Sequence, residues 1–162
     1  ERTLSKTIQS MHGEFTLHAY TDRTSNDVHL ALVKGEIRPD SETLVRVHEP
    51  LSVLDFLDST RCRHTFSLDQ AQAALAKADS GVIVLLRRPE SGDDLLAALG
   101  DPASSQSPAA KWDPRIYGIG AQILRDLGVR KMKLLGSPRR MPSMTGFDLE
   151  VTGYIASPAD LA

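Results

Sequence analysis

The chain has 162 residues, of which 41% are hydrophobic and 25% charged, enough to bury one ordinary core. Its 19 basic and 21 acidic residues give a net charge of -2, which supplies no broad basic surface for nucleic acid or an anionic membrane, so neither is an expected partner. The single cysteine, Cys62, excludes an internal disulfide framework, and no apolar run approaches the roughly 18 residues that cross a bilayer. We therefore expect one domain in a reducing, cytoplasmic setting.

Three short β-prone runs dominate the first half of the chain. They are Phe15–Tyr20, Val28–Val33 and Leu44–His48, and polar turn residues separate them. This pattern is typical of strands joined by turns. We predict an antiparallel start to the sheet.

A helix and a buried strand are predicted next. The segment Ser67-Leu-Asp-Gln70 has the spacing of a capping box, and the apolar residues after it continue at helical spacing. This predicts a helix over about Ser67–Ala78. Gly81 then opens the run Val82–Leu86, which is continuously apolar and too short for a helix. Such a run is typical of a central strand that is covered on both faces.

A loop, a second helix and a further strand follow. The segment Gly100–Ala110 is rich in Ser and Pro, which predicts a mobile loop. Asp113 and Pro114 suit the start of a helix, and Gly128 suits its end because glycine readily adopts the left-handed conformation. The segment Val129–Leu135 alternates apolar with basic residues, which predicts a strand. The predicted buried stripe of the helix is Ile116, Ile119, Ile123, Leu124 and Leu127.

Together these elements predict an α/β fold with a mixed sheet and flanking helices. We expect this domain to occupy residues 1–155, with residues 156–162 as a frayed tail that is too short and polar to form a domain. The chain begins at Glu1, without a methionine or a signal segment, so we expect it to be a piece of a longer protein.

The most distinctive motif is Tyr117-Gly-Ile-Gly-Ala-Gln-Ile-Leu-Arg-Asp-Leu-Gly-Val129. This run is similar to the helix that follows the active-site loop of GTP cyclohydrolase II, an enzyme of riboflavin biosynthesis. Shorter matches occur in order along most of the chain, which as a whole resembles that family. They are Gly13–Phe15, Val28–Gly35, Leu44–His48 and Ser59–Cys62.

The resemblance implies a mixed α/β domain that is usually a homodimer. In many bacteria this domain is fused behind a dihydroxybutanone phosphate synthase domain, and a start at Glu1 fits such a position. The family reaction opens the imidazole ring of GTP and releases formate and pyrophosphate. The family uses a zinc-bound water as the nucleophile and a metal beside the triphosphate.

The family's zinc ligands are three cysteines, and only one of those positions keeps its cysteine here. The corresponding residues are Leu51, Cys62 and His64. Cys62 and His64 are remnant metal candidates and His48 is a candidate third ligand, but Leu51 has no lone pair. Because a lone cysteine is usually a small hydrophobe, we expect no metal and no other cofactor. Zinc and magnesium would be required only if the domain is active.

The family's nucleotide motif, Arg-Gln-Glu-Gly-Arg-Gly-Ile-Gly, corresponds here to Arg87-Arg-Pro-Glu-Ser-Gly-Asp-Asp94. Arg87 is retained as a candidate nucleotide contact. Ser91 replaces an arginine, and Asp93 and Asp94 add charges that repel a triphosphate unless magnesium intervenes. We therefore expect weakened binding of GTP.

A third family motif, Leu-Leu-Thr-Asn-Asn-Pro with a following lysine, corresponds to the shorter segment Leu134–Arg140. Gly136 cannot supply the hydroxyl of the threonine. Arg139 or Arg140 could replace the lysine as a phosphate contact, although exposed arginines after a strand are more often simply solvated.

Four further residues retain the family's site pattern. Asp113 and Arg115 match the proposed general base and the covalent or phosphate-contacting arginine, although Asp113 is explained equally well as a helix cap. Arg46 and His48 match the start of the nucleotide-contacting segment, although alternation along a strand equally fits ordinary surface residues.

Three functions remain open at this point. The favoured one is a degenerate GTP cyclohydrolase II-like domain that acts as a structural or regulatory partner of a fused 3,4-dihydroxy-2-butanone 4-phosphate synthase domain. The second is an active GTP cyclohydrolase II with an altered metal site. The third is a sensor that binds GTP or a smaller phosphorylated ligand through Arg46, Arg87 and Arg115.

Overall fold

The computed structural model describes residues 1–48, 52–58, 66–88, 90–100, 114–136 and 146–161. These residues form one seven-stranded sheet with helices on its two faces. The strands are β1 (Arg2–Ser10), β2 (Gly13–Thr21), β3 (Val28–Lys34), β4 (Glu42–His48), β5 (Gly81–Leu85), β6 (Lys131–Leu135) and β7 (Glu150–Ile155). The helices are α1 (Leu54–Leu57), α2 (Leu68–Lys77), α3 (Gly92–Gly100), α4 (Pro114–Asp126) and a 3-10 helix (Pro158–Leu161).

The strand order is β1-β2-β3-β5-β4-β6-β7. Neighbours from β1 to β5 are antiparallel, whereas β5, β4, β6 and β7 are mutually parallel. The parallel strands end at His48, Leu85, Leu135 and Ile155, which lie at one edge of the sheet, here called the carboxyl edge. The start of β1 and the end of β2 lie at the same edge because of the antiparallel pairing.

The core has two layers, one on each face of the sheet. On the first face, Val45 and Val84 pack with Leu124 of α4. On the second face, Ile83 packs with Leu75 of α2 and with Phe66 just before that helix. Both faces of β4 and β5 are therefore covered, as expected for the continuously apolar run at β5.

The α/β fold with a mixed sheet and flanking helices is confirmed. The predicted strands near Phe15–Tyr20 and Val28–Val33 are β2 and β3, and they are antiparallel as predicted. The third predicted strand, β4, departs from that antiparallel start because it inserts between β5 and β6 and pairs in parallel with both. Within the expected tail, Pro158–Leu161 form a 3-10 turn, in which Ser157 N and Oγ donate to Asp160 Oδ2.

Different contacts hold the two ends of α2. The first end has the predicted capping box, and the last turn is held by Lys34, which the sequence does not indicate. Ser67 Oγ accepts from Gln70 N at 3.1 Å, and Gln70 Oε1 accepts from Ser67 N at 2.9 Å, which confirms the capping box. At the other end, the Lys34 ammonium donates to the carbonyl oxygens of Ala76 and, at 2.7 Å, of Ala78. A cation there is favourable because the last carbonyls of a helix have no partner within it.

The predicted end of α4 is also confirmed. Gly128 has φ +94°, and its N–H donates to the Arg125 carbonyl oxygen at 3.0 Å. The predicted loop at residues 101–110 lies outside the described residues, and Gly100 is the last residue of α3. No helix within the described part of the chain is both long and apolar enough to cross a membrane.

Candidate functional site

The carboxyl edge is where the topology brings the predicted site segments together. Arg46 and His48 lie at the end of β4, and Arg87 follows β5 by two residues. Gly136 follows β6 directly. Open α/β sheets bind their ligands at this edge because the loops that leave parallel strands converge there.

The first half of α4 belongs to the same region. A Cβ on Gly120 would lie 3.7 Å from a Leu86 methyl and 3.8 Å from a Val47 methyl, at the ends of β5 and β4. Arg115, in the first turn of α4, precedes this contact by five residues, and its side chain lies outside the described residues. The predicted site residues Asp113, Arg140, Cys62 and His64, and also Leu51 and Arg139, lie in the segments that the structure does not describe.

Arg46 is a buried cross-link between three elements. Its Nη1 donates to the Leu135 carbonyl oxygen at 2.8 Å, and its Nη2 donates to the Phe66 carbonyl oxygen at 3.3 Å. Its guanidinium carbon lies 5.8 Å from the centre of the Phe66 ring, within reach of a cation–π contact. This guanidinium joins β4, the end of β6 and the residue that precedes α2.

His48 completes this buried arrangement. Its ring is inaccessible to solvent, and its Nδ1 is 3.4 Å from Arg46 Nε, which donates to it. The His48 carbonyl oxygen accepts from Leu86 N at 3.1 Å. Side chains alternate along β4, so Arg46 and His48 face the same side as Leu44, the side that α2 covers. The alternative of ordinary strand-surface residues does not describe them, because both are buried.

Gly136 lies directly against Arg46. It has φ +149°, in the range that favours glycine, and its N–H donates to the Ile155 carbonyl oxygen at 2.8 Å. A Cβ at this position would be 3.1 Å from Arg46 Nη1. A side chain at position 136 would therefore require the Arg46 guanidinium to shift slightly.

Arg87 is exposed, and a buried histidine holds its backbone. Arg87 Nη1 donates to the Val28 carbonyl oxygen at 3.2 Å, and Arg87 N donates to His29 Nδ1 at 3.0 Å. Burial lowers the pKa of His29 and so favours its neutral form, while the charges of Asp27 and Asp22 oppose this effect. Because Nδ1 accepts, the proton of neutral His29 is assigned to Nε2. No described residue bonds that nitrogen.

Sequence reasoning missed His29, although its position offered a signal. A histidine one residue into the β3 run is unusual among apolar neighbours. Its contact with Arg87 depends on β3 pairing with β5, which lies about 50 residues further along the chain and which the sequence does not reveal.

Ser91 and Asp94 form the start of α3. Ser91 Oγ accepts from Asp94 N at 3.0 Å, and Asp94 Oδ2 accepts from Ser91 N at 3.2 Å, a reciprocal pair of capping bonds. The side-chain and backbone hydrogen bonds with Ser91 lower the pKa of Asp94. Ser91, at the position where the resemblance implies an arginine, is thus part of a helix cap.

The available donors do not fit a catalytic zinc with three protein ligands. Leu51 is a hydrocarbon side chain, and Cys62 and His64 are at most two ligands. His48, the candidate third ligand, accepts at Nδ1 from Arg46 Nε, which assigns the proton of a neutral ring to Nε2 and leaves that nitrogen without a lone pair for a metal. Among the described residues, no group of three His, Cys, Asp or Glu side chains is arranged to hold a metal ion.

Comparison with known proteins gives consistent matches. The family model described as GTP cyclohydrolase II matches residues 1–156. A 3,4-dihydroxy-2-butanone 4-phosphate synthase from Neisseria meningitidis is 48% identical over 147 residues, which are 91% of this chain and 40% of that protein. A riboflavin biosynthesis protein RibBA from Chlorobium phaeovibrioides is 35% identical over 162 residues, which cover 93% of this chain and 40% of that protein.

A solved structure matches as well. It is the crystal structure of RibBX, a two-domain 3,4-dihydroxy-2-butanone 4-phosphate synthase from A. baumannii. The TM-score is 0.63 at 38% sequence identity, over 97% of this chain and 40% of that chain. The chain spans about two-fifths of the length of the relatives that it matches.

Proposed function

The chain belongs to the GTP cyclohydrolase II family of riboflavin biosynthesis, and on that premise we propose that it is a non-catalytic member that supports a 3,4-dihydroxy-2-butanone 4-phosphate synthase domain. Its role in this proposal is structural or regulatory. The domain supplies a fold and a docking surface, and it opens no nucleotide ring.

The orientation of Arg46 is the observation that carries the proposal. Three of its nitrogens donate to Leu135, Phe66 and His48 within the protein. Three of its five N–H groups are thereby engaged within the protein, which leaves fewer donors for a triphosphate. Gly136 lacks a hydroxyl and packs on the same guanidinium.

The segment after β5 supports the same interpretation. Ser91 and Asp94 are engaged with each other as a helix cap, and Asp93 adds a further carboxylate in the first turn of α3. Two carboxylates where the family has an arginine-containing phosphate motif oppose an anionic ligand. Arg87, the retained arginine, donates to the Val28 carbonyl oxygen.

The relatives support the partner domain. The 48% identical protein is named for synthase activity alone, and the solved relative is a two-domain synthase. This chain corresponds to only 40% of each of these proteins, so the rest of each is long enough to form a second domain. The homodimer expected from the resemblance stays a prediction.

Metal content and formate release test the loss of chemistry. We expect less than one zinc per ten chains after purification with zinc present, a threshold of about 0.1 chosen because a structural or catalytic site would fill stoichiometrically. We also expect no formate from GTP above a no-enzyme blank. An active GTP cyclohydrolase II assayed in parallel is the positive control. Stoichiometric zinc together with formate release would restore the hypothesis of an active enzyme with an altered metal site.

A second measurement tests the supporting role. The synthase domain is prepared alone and also fused to this chain. Synthase activity and the thermal midpoint of unfolding are then measured for both forms at equal molar concentration. We expect the joined form to be more active or more stable, because a surface that binds only the folded state stabilises it. Identical values for the two forms would contradict the role. A thermal shift of this chain with GTP would favour the ligand sensor instead.

A further inference from the structure

The exposed apolar side chains of this domain are concentrated at the carboxyl edge. Val53 and Leu57, in and beside α1, are 48% and 75% exposed. Leu96 and Leu99 of α3 are 68% and 60% exposed. These four residues, here called the helical apolar patch, are most of the large hydrophobic side chains that are exposed within the described part of the chain.

The two helices of the patch follow neighbouring strands of the sheet. The segment with α1 follows β4 and the segment with α3 follows β5, and these strands are parallel neighbours in the sheet. Val53 N donates to Glu90 Oε1 at 3.4 Å, which links the start of α1 to the residues that lead into α3. The exposed leucines therefore share one edge of the molecule.

Helix α3 lacks the buried face that normally holds a helix on its domain. None of its described residues is fully buried, although five of its nine residues are Leu or Ala. Leu96 and Leu99 are three positions apart, so they project from the same side of the helix. An exposed, mostly apolar helix on a monomer marks a surface for a partner.

The start of β1 lies at the same edge of the sheet as the residues that lead into α3. Thr21 N donates to the Glu1 carbonyl oxygen at 2.8 Å, and Thr21 pairs with Val28 of β3. Val28 in turn accepts from Arg87, five residues before α3 begins. Glu1 therefore lies about three strand spacings, or about 14 Å, from the residues that lead into α3.

The last strand reaches the same edge from the other end of the chain. Ile155 ends β7 opposite Leu135, which ends β6. A domain joined at either end is thus tethered at the carboxyl edge. In the two-domain synthase of known structure, this chain corresponds to 40% of the polypeptide, so the remaining share is large enough for a second folded domain.

We propose that the helical apolar patch is the surface on which the 3,4-dihydroxy-2-butanone 4-phosphate synthase domain docks. This inference rests on the proposed function and adds to it the place of contact. Docking there covers the carboxyl edge, where the candidate nucleotide contacts Arg46, His48 and Arg87 lie.

The test uses this chain joined to the synthase domain in one polypeptide, as in the two-domain relative, with a protease site at the junction. Leu96 and Leu99 are changed together to serine. The matched control is Met11→Ser, because Met11 is 95% exposed and lies in the turn between β1 and β2, at the opposite edge of the sheet. Both changes affect exposed side chains, and circular dichroism checks that each protein is folded.

After cleavage at the junction, we expect the wild-type and Met11→Ser domains to elute together in size-exclusion chromatography. The Leu96→Ser, Leu99→Ser protein should separate, with a dissociation constant raised by roughly tenfold or more. Hydrogen exchange should show that the amides of α3 are protected by the synthase domain and become exposed in the double variant.

Three other outcomes would overturn the inference in different ways. If the domains elute together in the double variant and protection maps elsewhere, the patch is not the contact, and the proposed function stands. If protection of α3 depends on the concentration of this chain alone, its occupant is a second copy. If the wild-type domains separate and the synthase is indifferent to this chain, the proposed function itself fails.

Discussion

Arg46 shows how a residue from a nucleotide-contacting segment can serve the core instead. The sequence places Arg46 and His48 two positions apart at the end of a predicted strand, where alternation puts both on one face. What the sequence does not provide is which face α2 covers. The covered face depends on how α2 packs across the sheet. Because α2 covers the face that carries Arg46 and His48, both candidate ligand contacts are buried and bond within the protein.

We predict that Arg46→Met lowers the free energy of unfolding by about 2–4 kcal/mol, because it leaves the carbonyl oxygens of Leu135 and Phe66 buried without their charged donor. Urea denaturation measures the change. Arg87→Met is the control, expected within about 0.5 kcal/mol of wild type because that arginine is exposed. Equal effects of the two substitutions would contradict the buried cross-link.

His29 gives the fold a defined response to acid. Burial lowers its pKa in the folded state relative to about 6.5 in the unfolded chain. Between these two values the unfolded chain binds more protons, so the folded state loses stability as the pH falls below about 6.5. Protonation also removes the acceptor that Nδ1 offers to Arg87 N.

We therefore expect His29→Asn to flatten this response, since an amide oxygen can accept from Arg87 N and does not titrate. Unfolding free energies of both proteins are compared between pH 7.5 and pH 5, a span of about two to three units around the reference value. The wild type should lose stability over this span relative to the variant. Parallel curves would show that His29 is not the titrating group.

At the scale of elements, the sequence predicts α2 and β5, which bury a face, and misses β1 and α3, which do not. The helix over Ser67–Ala78 and the strand at Val82–Leu86 are confirmed within one or two residues as α2 and β5. In contrast, β1 is largely exposed and α3 has no buried residue, so neither has a strong apolar period to detect. The position of the candidate site, at one edge of the sheet, follows from the strand topology. The directions of its side chains depend on packing, which the sequence does not predict.

The contact between Lys34 and the end of α2 offers a test at this scale. We predict that Lys34→Met destabilises the protein by about 1–2 kcal/mol, because the carbonyl oxygens of Ala76 and Ala78 lose a charged donor. Thermal and urea unfolding measure it. Lys77→Met, in the exposed last turn of the same helix, is the matched control and should change stability by less than about 0.5 kcal/mol. A larger loss of stability in Lys77→Met would show that the effect comes from positive charge near the end of the helix and not from the hydrogen bonds of Lys34.

At the scale of the whole molecule, contacts between distant residues close the fold. Arg2 donates from Nε and Nη2 to Asp126 Oδ2, and Tyr20 donates to the same oxygen at 2.7 Å. Burial opposes ionisation of Asp126, but the hydrogen bonds from Tyr20 and Arg2 outweigh it and lower its pKa. The first strand is thereby fixed to the end of α4, which gives the exposed strand β1 a definite position.

The place of β4 in the sheet has a consequence for how the chain is made. Both neighbours of β4 come later in the sequence, and its contact with the end of β6 joins residues 89 positions apart. During synthesis on the ribosome, β4 emerges long before β6 exists, so its second edge stays open while most of the remaining chain is translated. Pairing over such long separations is slow to form. Folding of this domain is therefore expected to finish only after translation has passed β6, and a nascent chain that stops earlier exposes a central strand ready for aggregation.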